Sequence, residues 1–170
     1  MKPITLIAAL AAEKAVYVII HANHPRELTP AMRAAVGRMT RAGIPVLSQS
    51  VLLRGVNDDA AVLEALFRGL VAMRVKPYYL HHPDLARGTG HFRLGIDDGQ
   101  RLAGALRGRV SGLCQPTYVL DIPGGHGKSP VGPNYLSHED SFPQERERDA
   151  ETRYRVVDYC GDVHLYPPKP

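Results

Sequence analysis

Apolar and polar positions come in blocks along this chain, and the blocks change period in a regular order. "AVYVII" (15–20) is an unbroken apolar run, the pattern of a strand buried on both faces. The polar stretch "HANHPRELTP" follows. Within it, Thr29–Pro30 marks a helix start, with threonine as N-cap and proline at the first helical position. That helix is predicted to run to about Arg41 and to end at Gly43. "IPVLSQSVLL" (44–53) is the second strand, and "RGVNDDA" is a loop from which Asp58 or Asp59 caps a helix to about Met73. "VKPYYLH" (75–81) is a third strand, "HPDLARGTGHF" a long loop, and 97–107 a further helix. "PTYVLDI" (116–122) is the fourth strand, and a glycine-rich loop follows it. Ahead of all these, Ile4 to Lys14 is predicted as a short helix.

Strand, loop and helix in repetition predict an α/β fold with a parallel sheet, open or closing into part of a barrel. Active sites in such folds collect at the C-terminal ends of the strands. His21, Asp84 and Asp121 stand at or just beyond predicted strand ends, and Gln49 lies within the second strand. From about Ser137 the texture changes. "SHEDSFPQERERDAETRYR" is charged and weakly patterned, as in a surface loop, and "RYRVVDYCGDVHLYPP" reads as a final hairpin with Gly161 in its turn. The expected division is therefore 1–136 as the α/β portion and 137–170 as a charged loop with a terminal hairpin.

Composition narrows the function classes. An apolar share of 44% and a charged share of 22% over 170 residues are those of a soluble globular domain with a real core. The net charge of +4 is mild, and the basic residues are spread without a Lys/Arg block, so nothing points to a nucleic-acid partner. Glu13 and Lys14 interrupt the N-terminal apolar run, which excludes a membrane-spanning helix there. That opening also has some features of a signal peptide, but a short helix leading into a strand fits it better, and with that reading goes a cytoplasmic location. Two cysteines make neither a disulfide framework nor a metal cluster.

The candidate chemistry centres on "DIPGGHGKSP" (121–130). A phosphate-binding P-loop would need a glycine where Ile122 stands, and Pro130 holds Ser129 away from the helical angles such a loop requires. Two readings of Lys128 remain. It could bond covalently to an aldehyde cofactor such as pyridoxal phosphate, with the glycines letting backbone approach a flat ring. Alternatively it is a solvated lysine in a turn, which local features alone favour. His21 and His24 flank Asn23 but lack a third metal ligand at fixed spacing. His81 and His82 are adjacent on a strand and should face opposite ways. Asp84 and Asp121 could each cap a turn.

Taken together, "HANHPRELT", "GIPVLSQSVLLRGVND", "KPYYLHHPDLARGTGHFR" and "SGLCQPTYVLDIPGGHGKSPVGPNYL" resemble the C-terminal half of the lysine 2,3-aminomutase family, in order over about residues 12 to 136. That family comprises radical S-adenosylmethionine enzymes that also use pyridoxal phosphate, on a partial (β/α) barrel. The resemblance implies that Lys128 holds pyridoxal phosphate and that Asp84 and Asp121 grip the distal ammonium of substrate lysine. It places His21 and Gln49 near S-adenosylmethionine. In the family's chemistry a deoxyadenosyl radical takes a hydrogen from the β-carbon, and the amino group moves from C2 to C3 to give β-lysine.

The sequence also departs from the family. Its members bind a [4Fe–4S] cluster through C-x-x-x-C-x-x-C, ahead of the matched region, whereas this chain has only Cys114 and Cys160, neither in such a motif. No cluster is expected in this polypeptide. No zinc is expected either, because Asp59 stands where one of the family's zinc-binding cysteines would lie. The chain reads as a truncated product, a misplaced start or one piece of a split protein. It is expected to be inactive alone, with a sheet edge and an apolar face to be covered by a missing N-terminal half or by a second copy. Two other readings are a relative that acts on a protein lysine of elongation factor P and a non-catalytic remnant that holds pyridoxal phosphate or lysine without turnover. The aspartate of "DIPGG" favours free lysine, since the elongation-factor relative lacks it.

Overall fold

Apolar residues with β-branched neighbours set four strands at the intervals the pattern predicts. They are β1 (Val18–His21), β2 (Val46–Val51), β3 (Val75–His81) and β4 (Thr117–Asp121), and they pair in parallel in that spatial order. The computed structural model describes residues 5–13, 15–138 and 153–167. Four helices accompany the strands: α1 (Leu6–Ala11), α2 (Pro30–Arg41), α3 (Ala60–Ala72) and α4 (Ile96–Ala105). Their starts follow from capping chemistry. The Thr29 hydroxyl accepts the Met32 N–H at 3.2 Å, and the Asp59 carboxylate accepts those of Ala61 and Val62 at 2.8 and 3.1 Å. Gly43, at φ 79°, takes the left-handed position that ends α2.

Helices α2, α3 and α4 pack on β2, β3 and β4. The α3 stripe Leu63, Leu66, Phe67 and Leu70 is fully buried, with the i, i+3, i+4, i+7 spacing of a helix that covers a sheet. On β2 the buried positions are Val46, Ser48 and Ser50, so Leu47, Gln49 and Val51 face the other way. On β3 the alternation breaks. Val75, Pro77 and Leu80 are buried, a gap of three at the end, and Ser48 pairs with Pro77 while Gln49 pairs with Tyr79. Tyr78 is thus an extra residue, a bulge that returns Leu80 to the core and turns Tyr79 and His81 to the face away from the helices. Tyr118 of β4 joins the core, so Val119 and Asp121 share that second face with His81.

Three features differ from expectation. The first strand is not buried on both faces. It begins at Val18 rather than Ala15, lies at the sheet edge with only β2 beside it, and leaves Ile19 49% exposed. The glycine-rich loop ends in a strand, β5 (Lys128–Pro130), which returns antiparallel to β4, so the five-stranded sheet is mostly rather than wholly parallel. A short strand, β6 (Leu136–His138), lies where charged loop is expected to begin.

The chain divides into two compact units, Met1–Gly132 and Pro133–Pro170. In the second, β6, β7 (Tyr154–Val157) and β8 (Val163–Tyr166) form an antiparallel sheet. The β7–β8 turn has Gly161 at φ 93°, and the Asp158 carboxylate accepts the Cys160 and Asp162 N–H groups. The charged stretch at 139–152 lies outside the described residues. Among the described residues, no helix is long and apolar enough to cross a membrane.

Candidate functional site

β4 and β5 are joined by Ile122–Gly127, where Gly124, Gly125 and Gly127 have φ of 90°, 80° and 88°. A side chain at any of these would strain the backbone, so the glycines are what allow a hairpin this tight. Closing it makes Asp121 and Lys128 cross-strand partners. The Lys128 ammonium donates to Asp121 Oδ1, a charge-assisted bond between groups that are 42% and 33% exposed. The second oxygen, Oδ2, lies 3.1 Å from His81 Nδ1, and that imidazole is only 12% exposed. The Lys128 bond is the main cause that holds the Asp121 carboxyl below its ordinary 3.8. Partial burial opposes this, and the His81 bond adds to it. Tyr79 meets the His81 ring edge-on, with centroids 5.6 Å apart.

His82 turns the opposite way. Its Nδ1 lies 2.7 Å from Tyr118 Oη. Burial lowers the His82 imidazole, and burial together with Asp98 pushes the Tyr118 phenol up to about 12. Both shifts favour the uncharged forms of the two groups that share this bond. Tyr118 fits because α4 has Gly99 above it, where a Cβ would sit 1.9 Å from Oη.

His21 and Gln49 are register partners on β1 and β2 and lie on the same face as His81. His21 Nε2 is 3.2 Å from Asn23 Oδ1, an oxygen that also accepts the Val51 N–H at 2.8 Å. Beneath them lies a residue that the sequence reading passes over. Asn57, fully buried, donates to the carbonyls of Asn23 and Val51 at 2.8 Å each and accepts the Leu53 N–H at 2.6 Å. His24 caps a 3₁₀ turn at Pro25–Glu27, where Glu27 bonds back to the His24 N–H at 2.8 Å. The H-x-x-E spacing of this capping box is legible in the sequence, and it gives His24 a structural task.

Asp84 stands apart. Its carboxylate is exposed and has no hydrogen-bond partner among the described residues, and no contact joins it to Asp121. Arg93 holds its loop through the carbonyls of Asp84 and Ala86, at 3.2 and 2.7 Å. The structure thus brings Asp121 and Lys128 together, adds His81, and sets His21 beside Gln49.

Around Gly125 and Gly127 no atom beyond their chain neighbours lies within 4 Å of where a Cβ would be, so the backbone of the turn that leads to Lys128 is open to a flat ring. Pyridoxal phosphate fits this arrangement. An iron–sulfur cluster does not, since two cysteines, one buried and one exposed in different units, cannot supply three thiolates. Among the described residues no group of three or more His, Cys, Asp or Glu could hold a metal ion, and Asp59 is engaged in capping α3.

A model of the lysine-2,3-aminomutase family matches residues 103–142, a span that contains β4, the glycine turn and Lys128. An L-lysine 2,3-aminomutase of Clostridium subterminale is 45% identical over 147 residues, covering 85% of this chain and 35% of that protein. This chain belongs to the lysine 2,3-aminomutase family. A glutamate 2,3-aminomutase of Clostridioides difficile (strain 630) is 42% identical over 121 residues, covering 71% of the aminomutase-family chain and 29% of that protein. The chain spans about a third of the length of these relatives. The crystal structure of a radical SAM methyltransferase from Sphaerobacter thermophilus is similar in fold, with a TM-score of 0.50 and 25% identity over 68% of this chain and 37% of that one. The mostly parallel α/β sheet is accordingly radical-SAM-like.

Proposed function

We propose that this chain supplies the pyridoxal-phosphate- and lysine-binding portion of a lysine 2,3-aminomutase, on the C-terminal part of a partial (β/α) barrel. The observation that carries the reading is the Asp121–Lys128 pair, joined across a turn of three left-handed glycines. Lys128 is the residue that holds the cofactor, and the glycine backbone is the surface against which the ring rests. When bound, pyridoxal phosphate supplies an electrophilic carbon for an amine and a conjugated ring that delocalises an unpaired electron beside it. Asp121 takes the distal ammonium of the substrate by a charge-assisted hydrogen bond, and Asp84, which stands apart from it in the free chain, is the second carboxylate assigned to that ammonium.

This choice separates lysine from glutamate, the substrate named for one relative. A fixed carboxylate attracts a side-chain ammonium and repels a side-chain carboxylate, so Asp121 selects lysine by both effects. His21 and Gln49, side by side on β1 and β2, are assigned to the S-adenosylmethionine side of the site. S-adenosylmethionine and the [4Fe–4S] cluster belong to the full-length enzyme, and the cluster's thiolates come from outside this chain. Turnover therefore requires the cluster-binding region of the full-length enzyme in addition to the residues of this chain.

The test is covalent capture. The chain is incubated with pyridoxal phosphate and reduced with borohydride, and the adduct is located by peptide mass spectrometry. Lys128 should be labelled well above Lys76, whose amine is engaged by the carbonyls of Leu113 and Gln115 at 3.0 Å. Equal labelling of the two, or none at Lys128, overturns the assignment.

A further inference from the structure

Three residues meet at the end of β4, and the resemblance accounts for two of them. The third, His81, is the most enclosed, 12% exposed against 33% for Asp121 and 42% for Lys128. It arrives there through the β3 bulge. Without the extra Tyr78, residue 81 would fall on the helix-covered face. With it, His81 pairs with Val119, and Asp121, two residues further along β4, comes back to the same face.

The imidazole is fixed on two sides. Nδ1 lies 3.1 Å from Asp121 Oδ2, and the Tyr79 ring stands edge-on to it at 71°. On its remaining side, Nε2 is buried without a hydrogen-bond partner. Packing alone does not account for a histidine here, because an apolar ring of the same shape would fill the space and leave no polar atom unpaired. What imidazole adds is the Nδ1–H bond to Asp121.

We propose that His81 is a positioning residue: it holds the Asp121 carboxylate at the angle that meets an ammonium, first that of Lys128 and, once the cofactor has captured Lys128, that of the substrate side chain. This rests on the function proposed above. His81 takes one carboxylate oxygen, Oδ2, which leaves Oδ1 to meet the ammonium. The depressed Asp121 titration, to which the His81 bond contributes, is consistent with a carboxylate clamped between two donors.

Isosteric replacement tests this. Asparagine places an amide donor near the Nδ1 position, glutamine places one near Nε2, and phenylalanine keeps only the ring. In the full chain loaded with pyridoxal phosphate, H81Q and H81F should weaken lysine binding by about tenfold, which corresponds to about 1.4 kcal/mol. H81N should stay within about threefold of the native affinity, the loss of a fraction of one hydrogen bond. Binding of norleucine, which lacks the distal amine, should not change in any variant. Equal lysine affinity in H81N, H81Q and the native chain overturns the proposal, as does an equal loss for lysine and norleucine. Failure of the native chain to form the Lys128 adduct is a failure of the proposed function instead. In that case the titration of Asp121, followed by carboxyl ¹³C shifts, still decides about His81. A midpoint that rises in H81Q and not in H81N upholds it, and a midpoint unmoved in both sinks it.

Discussion

In the free chain Asp121 already holds a primary ammonium, that of Lys128, which is the same chemical group proposed for the substrate's distal end. Covalent capture of the Lys128 amine therefore also frees Asp121, and cofactor binding should precede substrate binding. The pair can be examined without any ligand. Lys128 is the largest cause of the depressed Asp121 titration, so K128M should move the Asp121 midpoint upward, toward 3.8. A depressed carboxyl adds stability at pH above its ordinary value, and that contribution is lost as pH falls through the depressed midpoint. K128M should thus flatten the acid limb of the stability curve below about pH 4, where ordinary carboxylates titrate. Carboxyl ¹³C shifts across an acid titration check the first point, and urea midpoints at several pH values check the second. An Asp121 midpoint that does not move would mean that the ion pair does not persist in solution. At this scale the sequence is informative only in part. Local spacing removes the P-loop and leaves Lys128 between cofactor and solvated turn, and it takes the ordered resemblance to join Lys128 to Asp121. The His81–Asp121 bond spans 40 positions, beyond the reach of any spacing rule.

At the scale of elements, the helices are legible because their signals are local. Thr29–Pro30 and Asp59 mark starts that the structure realises as caps. The β3 bulge is not legible, because "VKPYYLH" has the composition of an uninterrupted strand and only its partners show that Tyr78 is extra. β5 is also hidden. Three residues with a terminal proline are too few for a period-two signature, and the strand exists because β4 offers it a ladder. Gly99 illustrates a constraint of the same kind. In sequence it only weakens a helix, yet in the fold it makes room for the Tyr118 phenol. G99A would place a methyl group 1.9 Å from Oη of a buried ring whose hydroxyl is tied to His82. Three atoms of Tyr118, which is 3% exposed, would have to shift, so the cost should be about 2 kcal/mol, in the range of an overpacked core. G69A is the comparison. Its closest neighbour is a terminal methyl of Leu28, which can rotate away, so its loss should be the smaller of the two. Thermal unfolding of both variants checks the order. A G99A chain as stable as the native one would show that α4 does not sit tightly on Tyr118.

For the whole first unit, the question is how a sheet with helices on one face keeps its strand ends aligned where the candidate residues project from the other. Parallel strands have no hairpin to set their register, so side chains must tie the ends together. Asn57 does this for β1 and β2. It lies in the loop beyond β2 and is fully buried, and its amide spans the carbonyls of Asn23 and Val51 while its oxygen accepts from Leu53. Ser50 adds a bond from its hydroxyl to the Ala22 carbonyl at 2.5 Å. An edge strand with only β2 to pair with depends on these ties more than a central one does, and the sequence shows no sign of them, because asparagine in "GVNDD" reads as an ordinary loop residue. N57A removes three hydrogen bonds to part-buried backbone groups and should cost about 3 kcal/mol, at roughly one for each lost bond. N57D keeps the acceptor for Leu53 but turns a charged oxygen toward two carbonyls, so it should be at least as damaging at neutral pH. Urea unfolding gives the size of the loss. Hydrogen exchange gives its place, and protection should fall first in β1 and at the β2 end, next to His21 and Gln49, while the β3–β4 ladder under His81 and Asp121 keeps its protection. If N57A loses protection evenly across all four parallel strands, Asn57 supports the core as a whole; if only β1 is released, the two halves of the candidate site can be perturbed separately, and Lys128 capture should survive in a chain whose His21–Gln49 corner has opened.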